Sequence, residues 1–311
     1  VRVAAAVCAY GDVIELDGVR LTGGGDASVL HALDPRRAAI FMRGEGVELR
    51  SLRLTGVPPA RREAPWEMTR VTLFGARRFV VDSLRIEGAA AAGIQTAEAA
   101  SHGRITRNRI RDTLADAIHL TDRASDILVE GNHIDNAGDD GIAVVSYRRD
   151  GGFVERITAR HNVVTGNRWG RLMSVVGGRA VHFEHNLLQG NRAGLACLYI
   201  AQEAGWATHA AVDVVAVHNT IADCGSARTG HGAVTVSGDG QEANTGVTLR
   251  ANDIRPAAGA AGIRVLGTLN TGIVIEGNRV HGGHPPLSIA GPGATVVPYM
   301  PGRAVGRQAP R

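Results

Sequence analysis

Two adjacent aspartates, Asp139 and Asp140, stand in the segment Asn-Ala-Gly-Asp-Asp-Gly-Ile-Ala-Val-Val-Ser-Tyr (136–147), and Asp116 occupies the position equivalent to Asp140 one repeat earlier. Carboxylates held together repel each other and shift one another's proton affinity. Such a group can keep a proton for donation, keep a second carboxylate ionised to activate water, or offer hard oxygen ligands to a divalent cation. All three uses need the acids to meet in space.

The element that brings them together is a repeat. A β-branched strand, a small polar residue (usually Asn), a short polar turn and a second short strand recur along the chain. Copies read Val-Asp-Ser-Leu-Arg-Ile (81–86) with Ala-Gly-Ile-Gln-Thr (92–96), and Ile-Thr-Arg-Asn-Arg-Ile (105–110) with Ala-Ile-His-Leu-Thr (117–121). The next is Ile-Leu-Val-Glu-Gly-Asn-His-Ile (127–134) with Gly-Ile-Ala-Val-Val (141–145), and later copies place Asn at 162, 186, 219, 252 and 278. From Asn108 the spacings are 24, 30, 24, 33, 33 and 26 residues. The shorter ones fit one coil of a right-handed parallel β-helix and the longer ones a coil with an inserted loop.

Alternation predicts that Ile142 and Val144 point inward while their neighbours face solvent. One coil alone exposes its apolar row, and stacking buries the rows as one core. Asn at a fixed turn position suits left-handed backbone and can bond its neighbours along the stack. The chain therefore reads as an all-β, single-stranded solenoid over 1–297, followed by an irregular tail, 298–311.

All 34 basic residues are Arg, which excludes Schiff-base and other lysine chemistry. The net charge of +4 is consistent with an acidic polysaccharide as substrate, and no concentrated basic stretch suggests nucleic acid. Cys8, Cys197 and Cys224 show no CxxC spacing, so neither a disulfide framework nor a zinc site is expected and all three read as buried small hydrophobes. No apolar run has transmembrane length. The start reads as a first coil with no export signal in view, and a monomer outside the cytoplasm, extracellular or periplasmic, is expected.

Extra residues after the second strand at 147–154, 201–210 and 238–245, and an irregular stretch at 57–69, predict a loop wall beside a strand face. On it, Tyr147, Arg148, Trp169, Tyr199, Gln202 and Trp206 are candidate sugar contacts. Aligning coils on the inward Ile or Leu gives a column two residues earlier of Ala92, Asp116, Asp140, Arg171, Ala193 and Gly232, with Met173 as the fourth anchor. The column after the anchor reads Gln95, His119, Ala143 and Ser174. Paired strands lie roughly 4.8 Å apart, so Asp116, Asp140 and Arg171 should form a row beside Asp139 and His119.

These residues resemble the polygalacturonase-like glycoside hydrolases of the pectin-lyase-like β-helix superfamily. That pattern has an Asp, an Asp-Asp pair about a coil later, then Gly-His-Gly and Arg-Ile-Lys. Asp116 and Gly138-Asp139-Asp140 match its first two positions. Trp169-Gly170-Arg171 stands where Gly-His-Gly would be, and Gly-Leu-Ala-Cys-Leu-Tyr (194–199) where Arg-Ile-Lys would be. The later Gly230-His231-Gly232 lies about two coils out of place.

Two catalytic readings use these residues differently. In a hydrolase one carboxyl donates to the glycosidic oxygen and another activates water, with no cofactor. The resemblance implies Asp140 as the acid, Asp116 and Asp139 at the water, and inversion, although adjacent coils bring Asp116 and Asp140 nearer the short separation of retaining enzymes. In a uronate lyase or C5-epimerase, Asp116, Asp139 and Asp140, with Asp122, would hold Ca²⁺, and Arg171, His119 or Tyr147 would be base or acid. A third reading is a non-catalytic carbohydrate-binding or adhesin solenoid; the confinement of Asp, Arg and His to three coils under the longest loops speaks against a uniform scaffold.

Overall fold

The computed structural model describes residues 1–291 and 293–297. The expected tail, 298–311, lies outside the described residues. One coil shows the plan: strands Ser125–Glu130, His133–Asp135 and Ile142–Val145 are joined by short turns. Each pairs in parallel with its equivalent in the next coil, Glu155–Arg160, Val163–Thr165 and Met173–Val176. The third strands form a sheet of eleven among the described residues, and the other two sets run together into a second continuous sheet. This is a parallel β-helix, the architecture that the repeat predicts. No helix among the described residues is long and apolar enough to cross a membrane.

Ile94, Ile118, Ile142, Met173, Leu198 and Val234 form one inward column, so Met173 is indeed the fourth anchor. The fifth is Leu198. The residue two before it is therefore Ala196, not Ala193, because the turn after Asn191 is longer than the repeat suggests. Ile118, Ile142 and Val144 are fully buried in one cluster running through the coils. Each such side chain contributes about 1.5–3 kcal/mol when stacking covers it. Alternation fails at Ala143 and Val145, which were expected to face solvent. Both are buried in a second cluster with Val176, Ala196, Tyr199 and Ala201, which lies on the outer side of this sheet where the loops cover it.

The asparagines align at one corner. Asn108, Asn132, Asn162, Asn186, Asn219 and Asn252 each pass a side-chain N–H to the next side-chain oxygen at 2.8–3.0 Å, and Asn278 ends the ladder by donating to the Leu249 carbonyl. The left-handed backbone expected of them sits one residue earlier, as at Arg107, His161, His185 and His218. The preceding residue turns the corner, which leaves the Asn side chain buried and directed along the stack.

The cysteine expectation needs correction. Cys8 is exposed. Cys197 and Cys224 are buried but joined by a disulfide, because coiling brings residues 27 apart in sequence to a Cα separation of 5.5 Å.

Candidate functional site

Asp116 and Asp139-Asp140 lie in the turns that lead into strands Ile118–Leu120 and Ile142–Val145. Because the coils stack in register, the backbone N–H of Asp140 donates to Asp116 Oδ1 (2.9 Å) and that of Arg171 to Asp140 Oδ1 (2.6 Å). Each acid is thus held by the amide of the coil above. Gly170 makes this stacking possible: it has φ +66°, and a Cβ there would lie 2.4 Å from Asp139 Oδ1 and 2.6 Å from the Asp140 nitrogen. The side chain of Asn167 ties the same turn to the carbonyls of Asp139 (2.7 Å) and Arg171 (2.9 Å).

One oxygen from each of Asp116, Asp139 and Asp140 falls within 4.8 Å of the other two. Around them, His119 Nδ1 lies 3.1 Å from Asp116 Oδ2, Arg62 Nη1 lies 2.5 Å from Asp139 Oδ2, and Arg171 Nη1 lies 3.8 Å from Asp140 Oδ1. Ser174 donates its hydroxyl to Asp140 Oδ2. Arg171 also binds Glu203 and lies over the Tyr199 ring at 4.1 Å.

These contacts push the acids apart in proton affinity. Burial raises Asp140 most, with Asp139 and Asp116 adding repulsion and Arg171 opposing, so that its carboxyl is pushed up to about 7. Burial and Asp116 also raise Asp139, against Arg62 and Arg171. Burial opposes ionisation of Asp116 too, but His119, Arg62 and the Asp140 amide outweigh it and hold Asp116 below its ordinary value. Burial disfavours the charged His119 ring, yet Asp116, Asp140 and Asp139 together raise its affinity for a proton. The arrangement stores a proton among the acids while one of them stays ionised.

The cluster lies in a groove of about 520 Å³, whose lining includes Asp116, His119, Asp139, Asp140, Arg171, Tyr147, Trp169 and Trp206. The wall is built from loops two coils apart that meet across the coil of Met173–Val176: Tyr147 bridges to Thr208, and the Arg148 N–H donates to the Ala207 carbonyl at 2.9 Å. Trp169 and Trp206 are 61% and 69% exposed, as sugar-facing rings would be.

Other expected contacts lie elsewhere. Gln202 is buried and donates to the Thr208 carbonyl at 2.8 Å, while Arg148 pairs with Glu242 at 3.0 Å; both fasten the wall from behind. Tyr199 is buried between Arg171 and His231, its ring stacked on His231 at 5.5 Å. Asp122 accepts from the Glu98 amide at 2.6 Å and pairs with Arg123, away from the groove. Asp140 does not face solvent, as its outward register would suggest: the next coil and Ser174 cover it, and its side chain is only 6% exposed. Sequence reasoning missed Arg62, Glu203 and Ser174 as parts of the site. Ser174 was legible in the column after the anchor, whereas Arg62 and Glu203 lie on loops without a repeat.

A family model described as "Right handed beta helix region" matches residues 15–151 and 71–203, together more than half of the chain. The chain belongs to the right-handed β-helix family. Solved structures share this β-helix along nearly all of the described length. The catalytic domain of a GH87 α-1,3-glucanase in complex with tetrasaccharides superposes with a TM-score of 0.76 at 18% identity, over 96% of this chain and 64% of that one. The catalytic unit of a thermostable GH87 α-1,3-glucanase from Streptomyces thermodiastaticus gives 0.70 at 16% identity, over 96% and 63%. The A-module of a mannuronan C-5 epimerase from Azotobacter vinelandii gives 0.63 at 15% identity, over 96% and 88%. This β-helix chain thus spans less than two thirds of the glucanase chains it matches. Three glucanase structures carry aspartate-to-alanine substitutions, the second and third lying 23 and 24 positions after the first. No curated protein matches the chain by sequence.

Proposed function

We propose that the protein is a carbohydrate-active enzyme that hydrolyses a glycosidic bond of a polysaccharide. The observation that carries this reading is the meeting of Asp116, Asp139 and Asp140 within 4.8 Å in a groove flanked by exposed tryptophans. A bond with no activated leaving group needs an acid at its oxygen and a base at the attacking water. For carboxyls this close, the proton belongs to the cluster, so accessibility selects which member delivers it. The Asp139 side chain is 21% exposed, against 10% for Asp116 and 6% for Asp140. Asp139 is therefore the donor, in place of the Asp140 that the family resemblance implies. Asp116, kept ionised by His119, activates the water, and Asp140 on the adjacent coil shares the proton with Asp139. Further support comes from spacing: Asp139 and Asp140 follow Asp116 by 23 and 24 residues, as do the substituted aspartates of the glucanase.

The lyase or epimerase reading draws on the likeness to the mannuronan epimerase and on the same three acids as Ca²⁺ ligands. The surroundings do not fit that ion. Calcium takes six to eight oxygens, whereas this cluster is flanked by Arg62, Arg171 and the positively biased His119. Incubation with a glycan panel, with and without chelator, tests the proposal. New reducing ends without unsaturated uronate absorbance, lost in Asp139→Asn, are expected. Unsaturated products, or full turnover by Asp139→Asn, would overturn it.

A further inference from the structure

Arg62 and Arg171 line the groove, and a guanidinium is the natural partner of a carboxylate or sulfate, so their pairing bears on what the groove accepts. Arg62 is held by Asp139 at 2.5 Å. Arg171 is held by Glu203 and reaches Asp140 at 3.8 Å. His119 is held by Asp116 at 3.1 Å. Every cation lining the groove therefore faces an acid, and the lining carries five acids (Glu63, Asp116, Asp139, Asp140 and Glu203) against three cations. A uronate entering this groove would meet no guanidinium free of a carboxylate partner.

We infer that the groove takes an uncharged glycan, and that Glu203 enforces this by occupying Arg171. The inference rests on the hydrolase reading of the groove and replaces the acidic polymer that the chain's net positive charge suggests. Glu203 is well placed for the role. Its backbone N–H is fixed by Thr208 Oγ1 at 2.9 Å, Gln202 next to it is locked to Thr208 and to the Gln241 amide, and its carboxylate lines the groove. The Arg171 guanidinium is held from below by the Tyr199 ring at 4.1 Å, so it cannot swing away from Glu203 without losing that contact. A site can reject a ligand by presenting like charge as well as by lacking a partner for it.

The test is binding, which does not require turnover. Calorimetric titration of the whole chain with neutral oligosaccharides (gluco-, manno- and xylo-) and with oligogalacturonate and oligomannuronate compares the two classes directly. Measurable affinity for at least one neutral series, insensitive to ionic strength, with acidic series at least tenfold weaker, is expected. In Glu203→Gln the ratio of acidic to neutral affinity should rise roughly tenfold, and the gain should fade with salt because it is electrostatic. Tighter binding of a uronate series by the wild type, no binding of any neutral series, or an unchanged ratio in Glu203→Gln with an intact melting curve would each overturn the inference. Binding of neutral glycans without cleavage would instead sink the hydrolase reading and leave the selectivity standing.

Discussion

Replacing Asp140 by Asn should stabilise the protein while destroying its activity, and the stabilisation should appear only at neutral and alkaline pH. The folded chain pushes the Asp140 carboxyl from 3.8 up to about 7, chiefly by burial. A shift of that size corresponds to about 4 kcal/mol, at about 1.4 kcal/mol per pH unit. Folding is not penalised below about pH 4, where the group is protonated in both states. The penalty grows between about pH 4 and 7 as the unfolded chain alone releases the proton, and is constant above about pH 7. Asn carries no charge to desolvate. Its amide oxygen can accept from the Arg171 N–H, and its amide nitrogen can donate to Ser174, so the local bonds survive. Melting curves of wild type and Asp140→Asn at about pH 4 and pH 8 measure the effect. The variant should match wild type in acid and exceed it by up to roughly 8 °C at pH 8, taking about 2 °C per kcal/mol, while turnover falls at least about a hundredfold. A variant equally destabilised at both pH values would refute the argument that charged Asp140 is held under strain by burial.

Turnover of the wild type should decline above about pH 7 as the acid cluster loses its shared proton, and decline in acid as Asp116, held below its ordinary value, becomes protonated; a pH–rate profile reads both limbs. Asn162→Ala removes bonds to Asn186, the Val129 carbonyl and Asn132, leaving buried groups unpaired, and should cost about 3 kcal/mol or more in guanidinium unfolding. Non-reducing peptide mapping should find Cys197 linked to Cys224 and Cys8 free. Turnover should be unchanged by chelators, since the acid cluster is flanked by cations rather than by further oxygen ligands.

The fold and the centre of the site were legible for one reason: both are set by register. Once Met173 is anchored on Ile142, the neighbours of Asp140 follow without knowledge of any loop. The rest depends on chain that does not repeat. Arg62 reaches Asp139 across 77 residues from an irregular loop, and its pairing could not be counted out along the coils. Gln202 and Glu203 are adjacent in sequence, and only the conformation of their loop decides which faces the groove. Tyr199 sits in the outward column next to Ser174, yet the wall covers it and turns it from a sugar platform into a support for Arg171. The cysteine pair was missed because a stacked coil makes neighbours of residues that no short motif connects.

The asparagine ladder also bears on how the molecule yields to force. In a β-helix the pairing bonds run along the long axis, and here a column of seven amides runs parallel to them. A load applied between the two ends should not shear the whole sheet at once but peel coils one after another, since each is fastened only to its neighbours. Every peeled coil releases the residues between successive ladder positions, 24 to 33 of them, or roughly 80 to 115 Å of extended chain. A single molecule stretched in this way would give a sawtooth of unequal teeth, the longer ones marking the coils that carry inserted loops.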